Sequence, residues 1–224
     1  MNTSAADIVR EYGPFPGIDA VHGLTYDGQQ VWFASGTKLN ALDPASGCTL
    51  RALDVPAQAG TAFDGRHLFQ VDGDFIRKID PESGRVLASI PVPSGGGISG
   101  LAWAEGMLWA GQYRERTIHQ IDPETGAVVR SIRTDRFVTG VTWVDGELWH
   151  GTWENDASEL RRIDATTGEV LDRLDMPAGV GISGLESDGA DQFFCGGGTS
   201  GKIRVVRRPR RNQSEGEQTG DARR

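Results

Sequence analysis

An imidazole and a carboxylate break a repeating pattern in this chain. His22 precedes a glycine where the pattern otherwise holds Ala59, Ser99, Thr139 and Ser183, and Glu186 stands in a series otherwise made of Thr25, Ala62, Ala102 and Thr142. A carboxylate that orients an imidazole suits general acid and base work, so His22 and Glu186 are the candidate catalytic pair. Other residues offer binding groups. Tyr113 and Trp153 present aromatic faces for a planar or apolar group, and Arg114 and Arg136 present donors that can hold a carboxylate. Gln112 and Glu154 flank the two aromatics, and Gln70, His150 and Cys195 fall in one column with Phe33 and Ala110.

Each residue also has a plainer role open to it. His22 can cap a strand, Glu186 can pair with an arginine, and the two aromatics can pack their own loops. His150 fits a hydrogen-bonded interior histidine. Cys195 fits an inert buried thiol, since a cysteine nucleophile needs a base beside it.

The pattern itself is a repeat of about 40 residues. An acidic-Gly turn recurs as Asp27-Gly28, Asp64-Gly65, Glu105-Gly106, Asp145-Gly146 and Asp188-Gly189, at intervals of 37, 41, 40 and 43 residues. A second turn recurs as LDPASG, IDPESG, IDPETG and IDATTG, starting at Leu42, Ile79, Ile121 and Ile163. Within the unit 97–132 four apolar runs of four to six residues alternate with these turns, too short for helices and rich in Val, Ile and Trp. Four short antiparallel strands per 40-residue unit is a β-propeller blade, and five units make a small closed ring. The expected fold is therefore all-β, a five-bladed propeller over residues 1–206, with blades at about 20–56, 57–93, 94–133, 134–177 and 178–206. The fifth unit lacks a fourth strand. Residues 7–12 resemble the outermost strand of the third unit and are expected to complete the last blade from the other end of the chain, closing a sheet edge.

Aligning the units on Gly23, Gly60, Gly100, Gly140 and Gly184 puts Tyr26, Phe63, Trp103, Trp143 and Ser187 in one column and Trp32, Phe69, Trp109, Trp149 and Phe194 in another. Large residues against small ones between blades are core packing, which accounts for five of the six tryptophans and leaves Trp153 unassigned. In a propeller the loop entering each innermost strand and the loop joining strands two and three open on one face. Most of the candidates belong to those loops or to the strand ends beside them, so they are expected at the channel mouth.

Net charge is −8, and the last eighteen residues carry six arginines against three acids, which leaves −11 on residues 1–206. A body this acidic repels phosphate backbones, so no nucleic-acid partner is expected. The polar stretch 207–224 is expected to be a disordered, Arg-rich tail. No segment has the apolar length of a signal peptide or a membrane span, so a cytoplasmic monomer without membrane contact, its two cysteines reduced, is the expectation. There is no GxxxxGK[ST], CxxC or HExxH, so neither a metal nor a cofactor is expected.

The segments HGLTYDG, SGLAWAEGMLWAGQY and IDPETGAVV resemble the propeller superfamily of YncE-like and virginiamycin B lyase-like proteins, and most closely the glutamine cyclotransferase-like group, over residues 7–206. That resemblance implies a five-bladed propeller and, for activity, cyclisation of N-terminal glutamine. The family's FTQGL-like motif matches Ala20–Leu24, which puts His22 at its glutamine. Its LNELE-like motif matches Ile98–Ala102, which has no acid, and its ANVW-like motif matches Ala110–Tyr113, which keeps an amide and an aromatic. Three functions stay open. One is binding of a small molecule or short peptide at the channel mouth. The second is a glutaminyl-peptide cyclotransferase or related acyl-transfer or lyase enzyme with a Glu/His proton shuttle, and the third is a protein-interaction scaffold.

Overall fold

The computed structural model describes residues 1–209, and among these there is no helix. The chain opens with β1 (Asn2–Ala5) and β2 (Ile8–Tyr12). Four blades of four strands follow. The first is β3 (Leu24–Tyr26), β4 (Val31–Ala34), β5 (Leu39–Leu42) and β6 (Thr49–Leu53), and the second is β7 (Thr61–Phe63), β8 (Leu68–Asp72), β9 (Phe75–Ile79) and β10 (Val86–Pro91). The third is β11 (Ile98–Ala104), β12 (Met107–Gln112), β13 (Thr117–Ile121) and β14 (Val128–Arg133), and the fourth is β15 (Val138–Val144), β16 (Glu147–Glu154), β17 (Ala157–Ile163) and β18 (Val170–Asp175). The fifth has β19 (Gly184–Ser187), β20 (Gln192–Gly196) and β21 (Ile203–Arg207), and β2 pairs antiparallel to β21 as its outermost strand. The protein is a five-bladed β-propeller clasped by its N-terminal strand.

The turns explain why the repeat keeps its acids. Asp43, Asp80, Asp122 and Asp164 each accept backbone N–H groups two and three residues on, which fixes the DPxTG turn locally. These bonds hold each carboxyl below its ordinary range, with the Ser46 hydroxyl contributing most at Asp43.

Aromatic pairs fill the seams between blades. Trp103 stacks on Phe69 at 5.4 Å, Trp143 on Trp109 at 4.9 Å, and Tyr26 lies tilted at 5.6 Å from Phe194. Where the fifth blade has Ser187 in place of an aromatic, Phe193 packs on Trp149 at 5.0 Å.

The innermost strands meet backbone to backbone. A methyl group on Gly23, Gly60, Gly100, Gly140 or Gly184 would fall 2.2 to 2.7 Å from backbone atoms of the next blade. Only glycine permits that approach, and the five glycines form the narrow waist of the ring.

Two features depart from expectation. Residues 2–5 carry no apolar run that predicts a strand, yet β1 lies parallel to β18 and gives the fourth blade a fifth strand. The tail does not begin at residue 207. Arg207 ends β21, and Arg208 is buried, with its guanidinium on Asp145 at 2.6 Å and Glu147 at 3.0 Å. A run of arginines looked solvated because sequence alone gave no sign of the acids waiting on the fourth blade. The rest of the expected tail, 210–224, lies outside the described residues.

Candidate functional site

Above the glycine waist, on the face where the inner strands begin, lies a cavity of about 560 Å³. All five residues that precede the waist glycines line it: His22, Ala59, Ser99, Thr139 and Ser183. The loops after the second strands supply Tyr113 and the segment from Gly197 to Ser200, and the end of β16 supplies Trp153.

The hydroxyls of the inner column differ in what they do. Ser99 donates to the Val138 carbonyl at 2.6 Å, and Ser183 donates to the Val21 carbonyl at 2.6 Å, so each ties its blade to the next. Among the described residues the Thr139 hydroxyl has no hydrogen-bond partner, although the residue is only 5% exposed. The His22 ring makes no hydrogen bond among the described residues, and burial lowers its pKa below the ordinary histidine value. It is a neutral imidazole at neutral pH, able to accept a proton.

The aromatic wall is braced from behind. Tyr113 stacks on Phe137 at 4.8 Å, and the Arg116 guanidinium lies 4.7 Å from the same ring while binding Glu154 at 2.7 Å. The face of Trp153 packs against Gly181.

Of the residues singled out in the sequence, His22, Tyr113 and Trp153 line the cavity together. Glu186 does not join them. Its carboxylate accepts hydrogen bonds from Thr25 at 2.8 Å, from Thr142 and from the Ser187 N–H at 2.8 Å. It sits two residues past its waist glycine whereas His22 sits one before, an offset of about 10 Å along extended strands. Burial pushes its carboxyl above the ordinary range, against the pull of those donors.

The remaining candidates serve neighbouring structure. Gln70 is fully buried, accepts from Thr61 at 2.7 Å and donates to the Ala59 and Val71 carbonyls. Gln112 donates to the Ser94 and Gly96 carbonyls and so fastens the loop that contains lining residue Gly97, while His119 orients its oxygen at 3.0 Å. Arg114 is exposed. Arg136 lies between Glu154 and Glu159, and Glu154 is shared with Arg116. His150 is wholly buried, which lowers its pKa to about 4. Cys195 is likewise buried, its thiol pushed up to about 12, and Cys48 is exposed and free. Among the described residues no group of three metal-ligating side chains gathers.

Arg204, which lines the cavity from β21, is not among the residues singled out in the sequence, and neither are the lining glycines Gly197 and Gly198. The available signal was that the column pairing with the second strands is polar in every blade: Asn40, Arg77, His119, Arg161 and Arg204.

The family model for glutamine cyclotransferase matches residues 59–139. Over that stretch, about a third of the chain, the protein is similar to glutamine cyclotransferases. The match spans the second and third blades and the start of the fourth, and so includes Ser99, Tyr113 and Thr139 but not His22, Trp153 or Arg204. The glutaminyl cyclase of Myxococcus xanthus superposes with a TM-score of 0.75 at 18% identity, over 92% of this chain and 97% of that one. Virginiamycin B lyase from Staphylococcus aureus gives 0.53 at 15% identity, over 88% and 69%. The WD40 repeats of RRP9 give 0.54 at 11% identity, over 91% and 97%. At these identities the structural likeness concerns the fold. No curated protein matches the sequence.

Proposed function

We propose that this glutamine cyclotransferase-like propeller binds a small molecule or short peptide in the mouth cavity. The observation that carries the reading is the buried hydroxyl of the lining residue Thr139, which has no partner among the described residues. A buried polar group without a partner costs about 1–3 kcal/mol, a cost that a ligand able to hydrogen-bond there removes. Trp153 and Tyr113 supply the apolar surface, and the size falls in the range of pockets for small ligands. A thermal-shift screen of metabolites and short peptides tests it. A ligand that raises the melting temperature should lose its effect in Trp153→Ala, with the ligand-free melting temperature unchanged. A screen without hits, or hits indifferent to that substitution, removes the reading.

A second reading is cyclisation of N-terminal glutamine, favoured by the fold shared with the Myxococcus protein and by the neutral His22 imidazole. The α-amine would attack the side-chain amide carbon, a C–N bond would form, and ammonia would leave. His22 would accept the amine proton and deliver it to the departing nitrogen, while Thr139 donates to the carbonyl oxygen as charge develops. Glu186, held by two threonines, has a structural part in this version. Ammonia release from glutaminyl peptides should fall about 100-fold or more in His22→Ala. An unchanged rate excludes His22, and no release by the parent protein excludes the activity.

A further inference from the structure

Among the described residues the mouth cavity is lined by one permanent cation and no carboxylate, on a chain whose net charge is −8. That cation, Arg204, has a side chain only 9% exposed. Its Nε donates to Glu11 at 2.7 Å, and among the described residues neither Nη1 nor Nη2 makes a hydrogen bond. Glu11 is itself shared, because the Lys202 ammonium binds its other oxygen at 2.9 Å. Two cations on one carboxylate leave excess positive charge, and the open end of the guanidinium is where a further anion would sit.

Comparison with the other blades makes the point sharper. In the same column Arg77 turns to Asp72 at 3.1 Å and Ser89 at 2.6 Å, and Arg161 turns to Glu159 at 2.6 Å and to Asp135. Neither lines the cavity. Arg204 reaches it because Gly197 leaves room: a methyl group there would lie 2.7 Å from Nη1 and 2.3 Å from the Ser200 hydroxyl. Gly197 is not among the glycines with positive φ, so its lack of a side chain provides space at this position rather than backbone freedom.

We propose that Arg204 selects a carboxylate, so that the ligand of the mouth cavity is a small carboxylic acid whose planar or apolar part lies along Trp153 and Tyr113. The inference rests on the ligand-binding reading above and specifies its chemistry. A guanidinium presents two parallel N–H donors that match the two oxygens of a carboxylate, and a single cation matches a single negative charge. The Thr139 hydroxyl takes a second polar group of the ligand.

Calorimetric titration with indole-3-acetate and pyroglutamate, each beside its primary amide, tests this. The acids should bind about tenfold or more tightly than the amides, which is about 1.4 kcal/mol. Arg204→Gln should shrink the preference to about twofold or less by removing the charge-assisted pair. Glu11→Gln controls for the clasp, since it should lower the melting temperature yet keep the preference for acids. If Arg204→Gln does not fold, Gly197→Ala takes its place; the added methyl displaces the guanidinium and should weaken the acids alone. Equal binding of acid and amide by the parent protein, or a preference that survives in folded Arg204→Gln, overturns the inference and leaves the pocket reading standing. Failure of all four probes overturns it too. The pocket reading falls with it only if the metabolite and peptide screen also yields nothing that depends on Trp153.

Discussion

At the residue scale, internal symmetry was an informative guide, and its failures are instructive. Positions where one blade departs from the others pointed to His22 and Trp153, and both line the cavity. The same reasoning pointed to Glu186, whose departure is answered within its own column, by Thr25 on one side and Thr142 on the other. Sequence showed that the threonines and the glutamate share a column but not that they touch across three blades. Arg204 escaped notice for the opposite reason. It fits its column, and only the space left by Gly197 turns it inward. Thr139 also fits its column, and its significance lies in a missing partner, which no sequence displays. That gives a clean test. Thr139→Val keeps the shape and removes only the hydroxyl, so the ligand-free melting temperature should hold or rise slightly. Affinity for the ligand found in the screen should drop about fivefold to tenfold, one hydrogen bond of about 1 kcal/mol. Unchanged affinity in calorimetry would mean that the hydroxyl faces no ligand atom.

At the scale of elements, turn chemistry and apolar runs were legible because they are local, and so were the blade count and the closing strand. The extra strand β1 was not, since three of its four residues are polar, all four are exposed and, among the described residues, their sheet partner is β18, some 170 positions away. The two N-terminal strands should differ in worth. β1 buries no side chain, and the Asn2 amide donates to Asp172 at 3.1 Å. β2 carries Tyr12, which is buried in one core cluster with Phe15, Leu24, Phe33 and Leu42 and donates to the Pro44 carbonyl at 2.7 Å, while Arg10 lies over its ring and donates to the Pro44 and Ala45 carbonyls. The strand therefore ties the fifth blade to the first as well as completing a sheet. Removing residues 1–5 should leave one cooperative thermal transition close to that of the parent. Tyr12→Phe should cost about 1 kcal/mol for the lost hydrogen bond, and Tyr12→Ala about 3–5 kcal/mol for the buried ring. Urea unfolding of the three variants checks the order, and a larger loss from trimming β1 than from Tyr12→Ala would reverse it.

At the scale of the whole molecule, the ring closes between its fifth and first blades, and Glu186 sits at that closure with Thr142 of the fourth blade and Thr25 of the first. Its effect on stability has a definite sign. Burial is the largest influence on its carboxyl and raises the folded pKa above the ordinary glutamate value of 4.5, although Thr142, Thr25 and the N–H groups of Ser187 and Tyr26 pull the other way. A carboxyl with a raised folded pKa binds its proton more tightly in the native ring than in the unfolded chain. The stability this confers is complete below about pH 4.5 and fades as pH rises through the folded value. Glu186→Gln is neutral at every pH and can still bond both threonines, whose hydroxyls donate or accept. The variant should therefore melt above the parent at pH 8, and the gap should close as pH falls toward 4. The turn aspartates, whose carboxyls are shifted the other way, titrate in both proteins and cancel in the difference. Melting curves of the two proteins between pH 4 and pH 8 measure it. A variant that melts lower at pH 8 would mean that the four donors outweigh burial, and that the ring is held shut there by an ionised carboxylate.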